Sequence, residues 1–164
     1  MALEHAIIIW IHLICSAIWV GCSLFIALVF APILKTMARS VEERLQIMIK
    51  VGRRFNKVAV PALLILIATG IWNSHQILNK PDLLFGTTYG TVLIIKMLLV
   101  VGLLGSFALH VRIIRKDVED KIMRKELSQE QIMKLRKKII IIGEITVVLS
   151  VLVLLLAAIL NVGI

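Results

Sequence analysis

The stretch AIIIWIHLICSAIWVGCSLFIALVFAPIL, Ala6–Leu34, carries no Asp, Glu, Lys or Arg. It exceeds the ~20 apolar residues that a helix needs to cross the hydrocarbon core of a bilayer. Three more runs read the same way, at about 58–77, 89–111 and 139–162, with Lys96 and Glu144 as their only charges. The expected fold is therefore all-α: an integral membrane four-helix bundle, with residues 1–164 forming one membrane domain and no room for a second. The opening Met-Ala-Leu-Glu-His has no basic n-region, and the first run is too long for a signal-peptide core. It reads as a retained span.

Composition agrees. Hydrophobic residues make up 60% of the 164 and mean hydropathy is +0.99, against ~45–50% apolar for a soluble domain. The net charge of +9 is unevenly placed. Seven of the 19 Lys and Arg fall in 35–57 and ten in 112–138, leaving only Lys80 and Lys96 elsewhere. Excess Lys and Arg mark loops on the cytoplasmic side, so both basic segments are expected there, with both termini outside and the plasma membrane as location. Topology accounts for the charge, and nucleic-acid binding is set aside.

Local signals divide these segments. Ser40-Val-Glu-Glu43 and Ser128-Gln-Glu-Gln131 each have the form of a capping box and predict helix starts. The first helix is expected to run from about Val41 into the second span, with a kink at Pro61. The second is expected to run through the fourth span to the C-terminus. Asn79-Lys-Pro-Asp82 and Gly86 predict turns in the one substantial outer loop. Ala17 and Gly21 form a small-xxx-small pair that permits close helix approach. Trp72 is placed like an interfacial aromatic anchor.

The first span also carries the chemistry. His5, His12, Cys15, Trp19 and Cys22 fall within an arc of ~100° at helical spacing. Ionisable groups inside a membrane usually face the bundle and mark a ligand, ion or proton pathway. The residue types point to a transition metal: imidazole suits copper or haem iron, and thiolate suits Cu(I). Cys15 and Cys22 lie ~10 Å apart along the axis, too far for a disulfide. Counted from the basic edge at ~1.5 Å per residue, His12, His75, Lys96 and Asn161 all belong to the outer half. His110 and Glu144 belong to the inner edge, where Glu144 is expected to pair with Arg53, Arg54 or Lys57. No Gly-rich phosphate loop or Ser-His-Asp grouping is present, which disfavours nucleotide enzymes and hydrolases.

Ile11-His-Leu-Ile-Cys-Ser-Ala-Ile-Trp-Val-Gly21, Arg54-Phe-Asn-Lys-Val-Ala59 with Thr69-Gly70, and Thr87-Thr-Tyr-Gly-Thr-Val-Leu-Ile-Ile-Lys96 resemble, in order, segments of CopD-type copper-resistance membrane domains. The resemblance implies a helical bundle linked to copper uptake or tolerance, and it carries over His12, Trp19, Tyr89, Gly90 and Lys96 by motif position. Larger members of that family have additional spans. A weaker similarity, through His12, Pro61, Gly70, Lys96 and His110, is to HemJ-type b-haem protoporphyrinogen oxidases.

Two readings of the site follow. In one, copper is bound and handled by His12, assisted by Cys15, Cys22, His75 or His5, with Lys96 setting the field. In the other, haem b is held by His12 and His75 as axial ligands, with Lys96 on a propionate and Trp19 and Tyr89 beside the group. An enzymatic role is left open and would be that of a haem-dependent membrane oxidoreductase. The expected partners are the lipid bilayer, a transition metal or haem, and a second copy of the chain, with the oligomeric state open. A plain structural bundle without cofactor is the third reading.

Overall fold

The computed structural model describes residues 2–163, apart from the side chains of residues 2 and 76. Its elements are α1 (Leu3–Met37), α2 (Val41–Leu78), α3 (Pro81–Gly86), α4 (Thr88–Ile113), α5 (Lys116–Met123) and α6 (Gln129–Val162). No strand occurs among the described residues. Four helical stretches are long and apolar enough to cross a membrane: α1, α2, α4 with its continuation α5, and α6. The fold is an all-α, four-helix membrane bundle. Leu28, Leu98 and Val101 on its outside are 70%, 66% and 67% exposed. A soluble domain rarely leaves a surface so apolar, and lipid is the solvent that suits it.

The helix starts follow their local chemistry. The Ser40 side chain accepts the Glu43 N–H at 3.0 Å, while the Glu43 carboxylate accepts the Arg39 N–H at 2.7 Å. Ser128 and Gln131 make the full reciprocal box. α2 continues through Pro61 as one helix. The outer loop departs from the expected turns. Pro81 opens α3, because its fixed φ suits a first helical turn and its missing N–H costs nothing there. Thr87 then caps α4 by accepting the Gly90 N–H at 3.0 Å.

The helices pack as two close pairs, α1 against α2 and α4 along α6. Across the seam between the pairs, α2 and α4 run antiparallel in a regular register. A Cβ on Gly52 would come 2.9 Å from Ile114 Cδ1. Seven and eleven residues further along each helix, Ala59 meets the level of Phe107 and Leu63 that of Leu103, all four in one packed cluster with Trp19. At the basic end a second cluster joins Leu45, Ile49, Ile114, Ile122, Ile132 and Ile139 from α2, α4, α5 and α6.

The inner ion pair differs from expectation. Arg53 bonds Glu119 on α5, with Lys50 3.9 Å from the same carboxylate. Glu144 is exposed and has no ion-pair partner among the described residues. The charged 112–138 segment folds back as α5 and places its own carboxylate against α2, a tertiary closure that spacing along the chain does not encode.

Candidate functional site

In the half of the bundle away from the basic end, the two helix pairs part around a cavity of about 330 Å³. Each span contributes to its wall: His12 and Ser16 from α1, Gly70 and Ser74 from α2, Lys96 from α4 and Ser150 from α6. The rest of the lining is mainly aliphatic, so the few polar groups converge on an otherwise dry space.

The antiparallel register of α2 and α4 explains how Lys96 arrives. Eighteen residues from the Gly52–Ile114 contact along each helix stand Gly70 and Lys96, and both line the cavity. His12 comes from the other side, and a Cβ on Gly70 would lie 3.6 Å from its Cε1. Gly70, having no side chain, leaves room for the His12 ring in the cavity that Lys96 also lines. Lys96 has no carboxylate within ion-pair reach among the described residues.

His12 is oriented by its neighbour. Its Nδ1 is 2.6 Å from Thr69 Oγ1, and the Thr69 hydroxyl donates to the Ile65 carbonyl at 2.7 Å. With that proton committed, Thr69 accepts and His12 Nδ1–H donates. Nε2 is left as the open acceptor of the ring. Metal-ligating histidines are held this way, with one nitrogen tied back and the other free to coordinate.

Below the cavity the seam closes. Trp19 is 2% exposed. Its ring meets Phe107 edge-on at 4.8 Å between centroids, and Phe55 lies 6.2 Å away. Its Nε1–H donates to Ser150 Oγ at 2.9 Å, and Ser150 passes its own proton to the Thr146 carbonyl at 2.8 Å. An aromatic plug pinned by one serine therefore separates the cavity from the basic end.

The remaining candidates lie elsewhere. Cys15 is buried and Cys22 exposed, and both are free thiols outside the cavity lining. His5 and His75 are exposed. His75 Nδ1 is 2.6 Å from the Trp72 carbonyl, and the two rings lie 5.8 Å apart. Tyr89 is half-buried beside α3 and does not line the cavity. Asn161 is exposed. Among the described residues, no three His, Cys, Asp or Glu side chains gather closely enough to hold a metal ion.

The departure of Cys22 from the face of Trp19 has a local cause. α1 contains two π-helical turns, Ala17–Gly21 and Ile26–Phe30. Each widens the helix and shifts the facing residues from the straight-helix phase. Ser23 fills part of the first, donating to the Trp19 carbonyl at 2.7 Å. Ser16, Ser74 and Ser150 are the site residues that the sequence reading did not single out, and Gly70 entered it only through the family resemblances. The isolated polar residues of α6, Thr146 and Ser150 one turn apart in an aliphatic run, are the signal that would have flagged that wall.

Comparison with known protein families gives a match. The family described as CopD, copper resistance protein D, fits residues 49–160. No curated protein and no solved structure matches significantly.

Proposed function

The chain belongs to the copper resistance protein D family, and on that premise we propose that it binds and handles copper, for uptake or tolerance, at the His12 cavity. The observation that carries this reading is the state of His12. Its Nδ1 is tied to Thr69, its Nε2 is uncommitted, and it lines a cavity walled by all four spans. One imidazole does not complete a copper site, so the ion would take further ligands from what accompanies it or from a small movement of α1 that brings Cys15 nearer. Lys96 repels a bare cation. It therefore favours copper arriving with an anionic ligand. The clustering of Lys and Arg in the two basic segments supports the reading that they face the cytoplasm and the cavity the outside of a plasma membrane.

A second reading is favoured by Lys96 alone. A half-buried ammonium without a carboxylate would suit the propionate of a b-haem that His12 would ligate. The second imidazole is then the missing part, since His75 stands outside the cavity. The likeness to porphyrinogen oxidases rests only on the sequence positions quoted above.

Two measurements on the detergent-purified chain test these readings. A Cu(I) titration against a chromophoric competitor should show one equivalent bound, weakened about tenfold by Thr69→Val, because losing the partner that orients a ligating histidine costs ~10–100-fold, and further by His12→Ala, which removes the ligand itself. Equal affinity in wild type and His12→Ala would overturn the copper site. A Soret band that sharpens into α and β bands on reduction would instead establish haem.

A further inference from the structure

Far from the His12 cavity, at the basic end of α6, Met133, Lys134, Arg136, Lys137, Ile140 and Ile141 line an open groove of about 450 Å³. Their helical spacing puts the groove on one side of the helix. It crosses a boundary in the sequence, because Lys138 is the last basic residue of the chain and an aliphatic run starts at Ile139. Met133 and Ile141 are 49% and 42% exposed, and Ile145 and Val148 continue the same side at 47% and 57%. That side is therefore basic where α6 projects into water and aliphatic where it enters lipid. Its charges do not balance. Glu130, which also lines the groove, holds Lys134 at 2.6 Å. Arg136 and Lys137 have no ion-pair partner among the described residues. Arg136 Nε is enclosed and has no hydrogen-bond partner, so no protein acceptor fixes that nitrogen. Arg44 on α2 stands near it: burial, and then the charge of Arg136, lower the Arg44 pKa. Two guanidiniums that repel each other favour an anion beside them.

We propose that this groove holds one anionic phospholipid, with its phosphate on Arg136 and Lys137 and an acyl chain along Ile140 and Ile141. A guanidinium presents a planar fork of N–H donors that matches two phosphate oxygens, and an ammonium adds a point charge. Arg136 reaches the phosphate by turning about side-chain torsions that no protein bond restrains. Basic pockets at the end of a span are where acidic headgroups bind. Ile140 lies four residues past Arg136, or ~6 Å along the axis, so headgroup and chain of one lipid meet the two halves of the groove in order. A soluble anion would use only the basic half and leave the isoleucines uncovered. Glu144 is exposed on the same side. It stands seven residues past Lys137, ~10 Å deeper, beside the acyl chain and away from the phosphate. The proposal does not depend on copper.

The test is native mass spectrometry of the full chain released from micelles doped with phosphatidylglycerol or phosphatidylcholine. One phosphatidylglycerol should be retained in preference to phosphatidylcholine. Arg136→Gln with Lys137→Gln should weaken that retention roughly thirtyfold, two charges at about fivefold each, and leave phosphatidylcholine unaffected. Arg136→Lys keeps the charge without the fork and should fall between wild type and the double variant, which keeps the test open if the double variant folds poorly by circular dichroism. The matched control is Lys116→Gln with Lys121→Gln, two exposed charges on α5 outside the groove, and it should bind like wild type. Equal retention of the two lipids overturns the proposal, as does wild-type binding by the double variant and by Arg136→Lys. An equal loss in the α5 control also overturns it, since the attraction would then belong to the whole basic end. Displacement of phosphatidylglycerol by inorganic phosphate would make the groove a soluble-anion site and overturn it too. None of these outcomes depends on the Cu(I) titration at His12, so the two proposals fail separately.

Discussion

At the basic end, α2, α4, α5 and α6 close on Leu45 and Ile49, both 0% exposed. Toward the other end three of those same helices, with α1, stand apart around a cavity of about 330 Å³. Their solvents differ. α2 has 38 residues and is therefore ~57 Å long at 1.5 Å per residue, well over the ~30 Å hydrocarbon thickness. One end must project, and the end that carries 17 of the 19 basic residues is the one that water tolerates. There, burying isoleucines removes apolar surface from water. In lipid no such force acts between helices, and they meet only where small residues or polar bonds hold them. His12–Thr69, Trp19–Ser150 and Ser106–Thr146 are those bonds. The remaining space stays open.

The contrast can be broken most severely at the wet end. Ile49→Ala removes a side chain that is 0% exposed in a cluster drawn from several helices. Its expected cost is about 3 kcal/mol, the middle of the range for such truncations. Leu66→Ala, at the cavity wall, should cost well under half of that, because the space beside it is already empty and lipid contributes no transfer term. Unfolding in mixed micelles, followed by helicity, measures both. Equal losses would show that the two halves are packed by the same force after all.

The next largest effect concerns the corner between α3 and α4. A Cβ on Gly90 would fall 2.1 Å from the Leu84 carbonyl oxygen and 2.5 Å from that of Leu83. These are backbone atoms, so relief requires moving the corner. Gly90→Ala should cost about 2 kcal/mol by overpacking. It should also displace Lys96 along α4, which a drop in ligand affinity would report. Gly21→Ala, with nothing within 4 Å, is the matched control and should be neutral.

These sites also show what the sequence makes legible. The four spans, the Ser40 and Ser128 caps and the shared depth of His12 and Lys96 rest on length, local hydrogen bonding and a fixed rise per residue, all of which a chain displays in one dimension. The His/Cys face of α1 was read on a straight helix. The π turn at Ala17–Gly21 alters that phase and leaves Trp19 in the core with Cys22 outside it. α3 was masked because Pro81 serves equally as a turn former and as a first helical residue. The role of Glu119 was invisible, and that of Gly70 was not readable from its motif position, because both come from what packs opposite them.

A smaller stability effect is expected from Ser150→Ala. Trp19 would keep its stacking on Phe107 but lose the acceptor of its Nε1–H. The cost of one unsatisfied buried donor is about 1 kcal/mol. Trp19 emission should shift while helicity stays unchanged. Ser150→Thr retains a hydroxyl and should restore most of the signal.

The smallest expected change in stability gives the sharpest view of the cavity. At Gly70 the nearest neighbour of an added Cβ is His12 Cε1 at 3.6 Å, an ordinary contact. Gly70→Ala should therefore leave the fold within ~0.5 kcal/mol, or improve it slightly by raising helix propensity. Gly70→Leu places a branched side chain between His12 and Lys96, in space that the bundle does not use for its own packing. Melting behaviour should again move little, since a dry cavity accepts an apolar group without displacing a neighbour. Copper or haem binding should fall at least tenfold. A cavity that is merely a packing defect would respond oppositely: Gly70→Leu would raise stability markedly and leave metal binding untouched. The pair of variants thus separates a space kept open for a ligand from one the chain failed to fill.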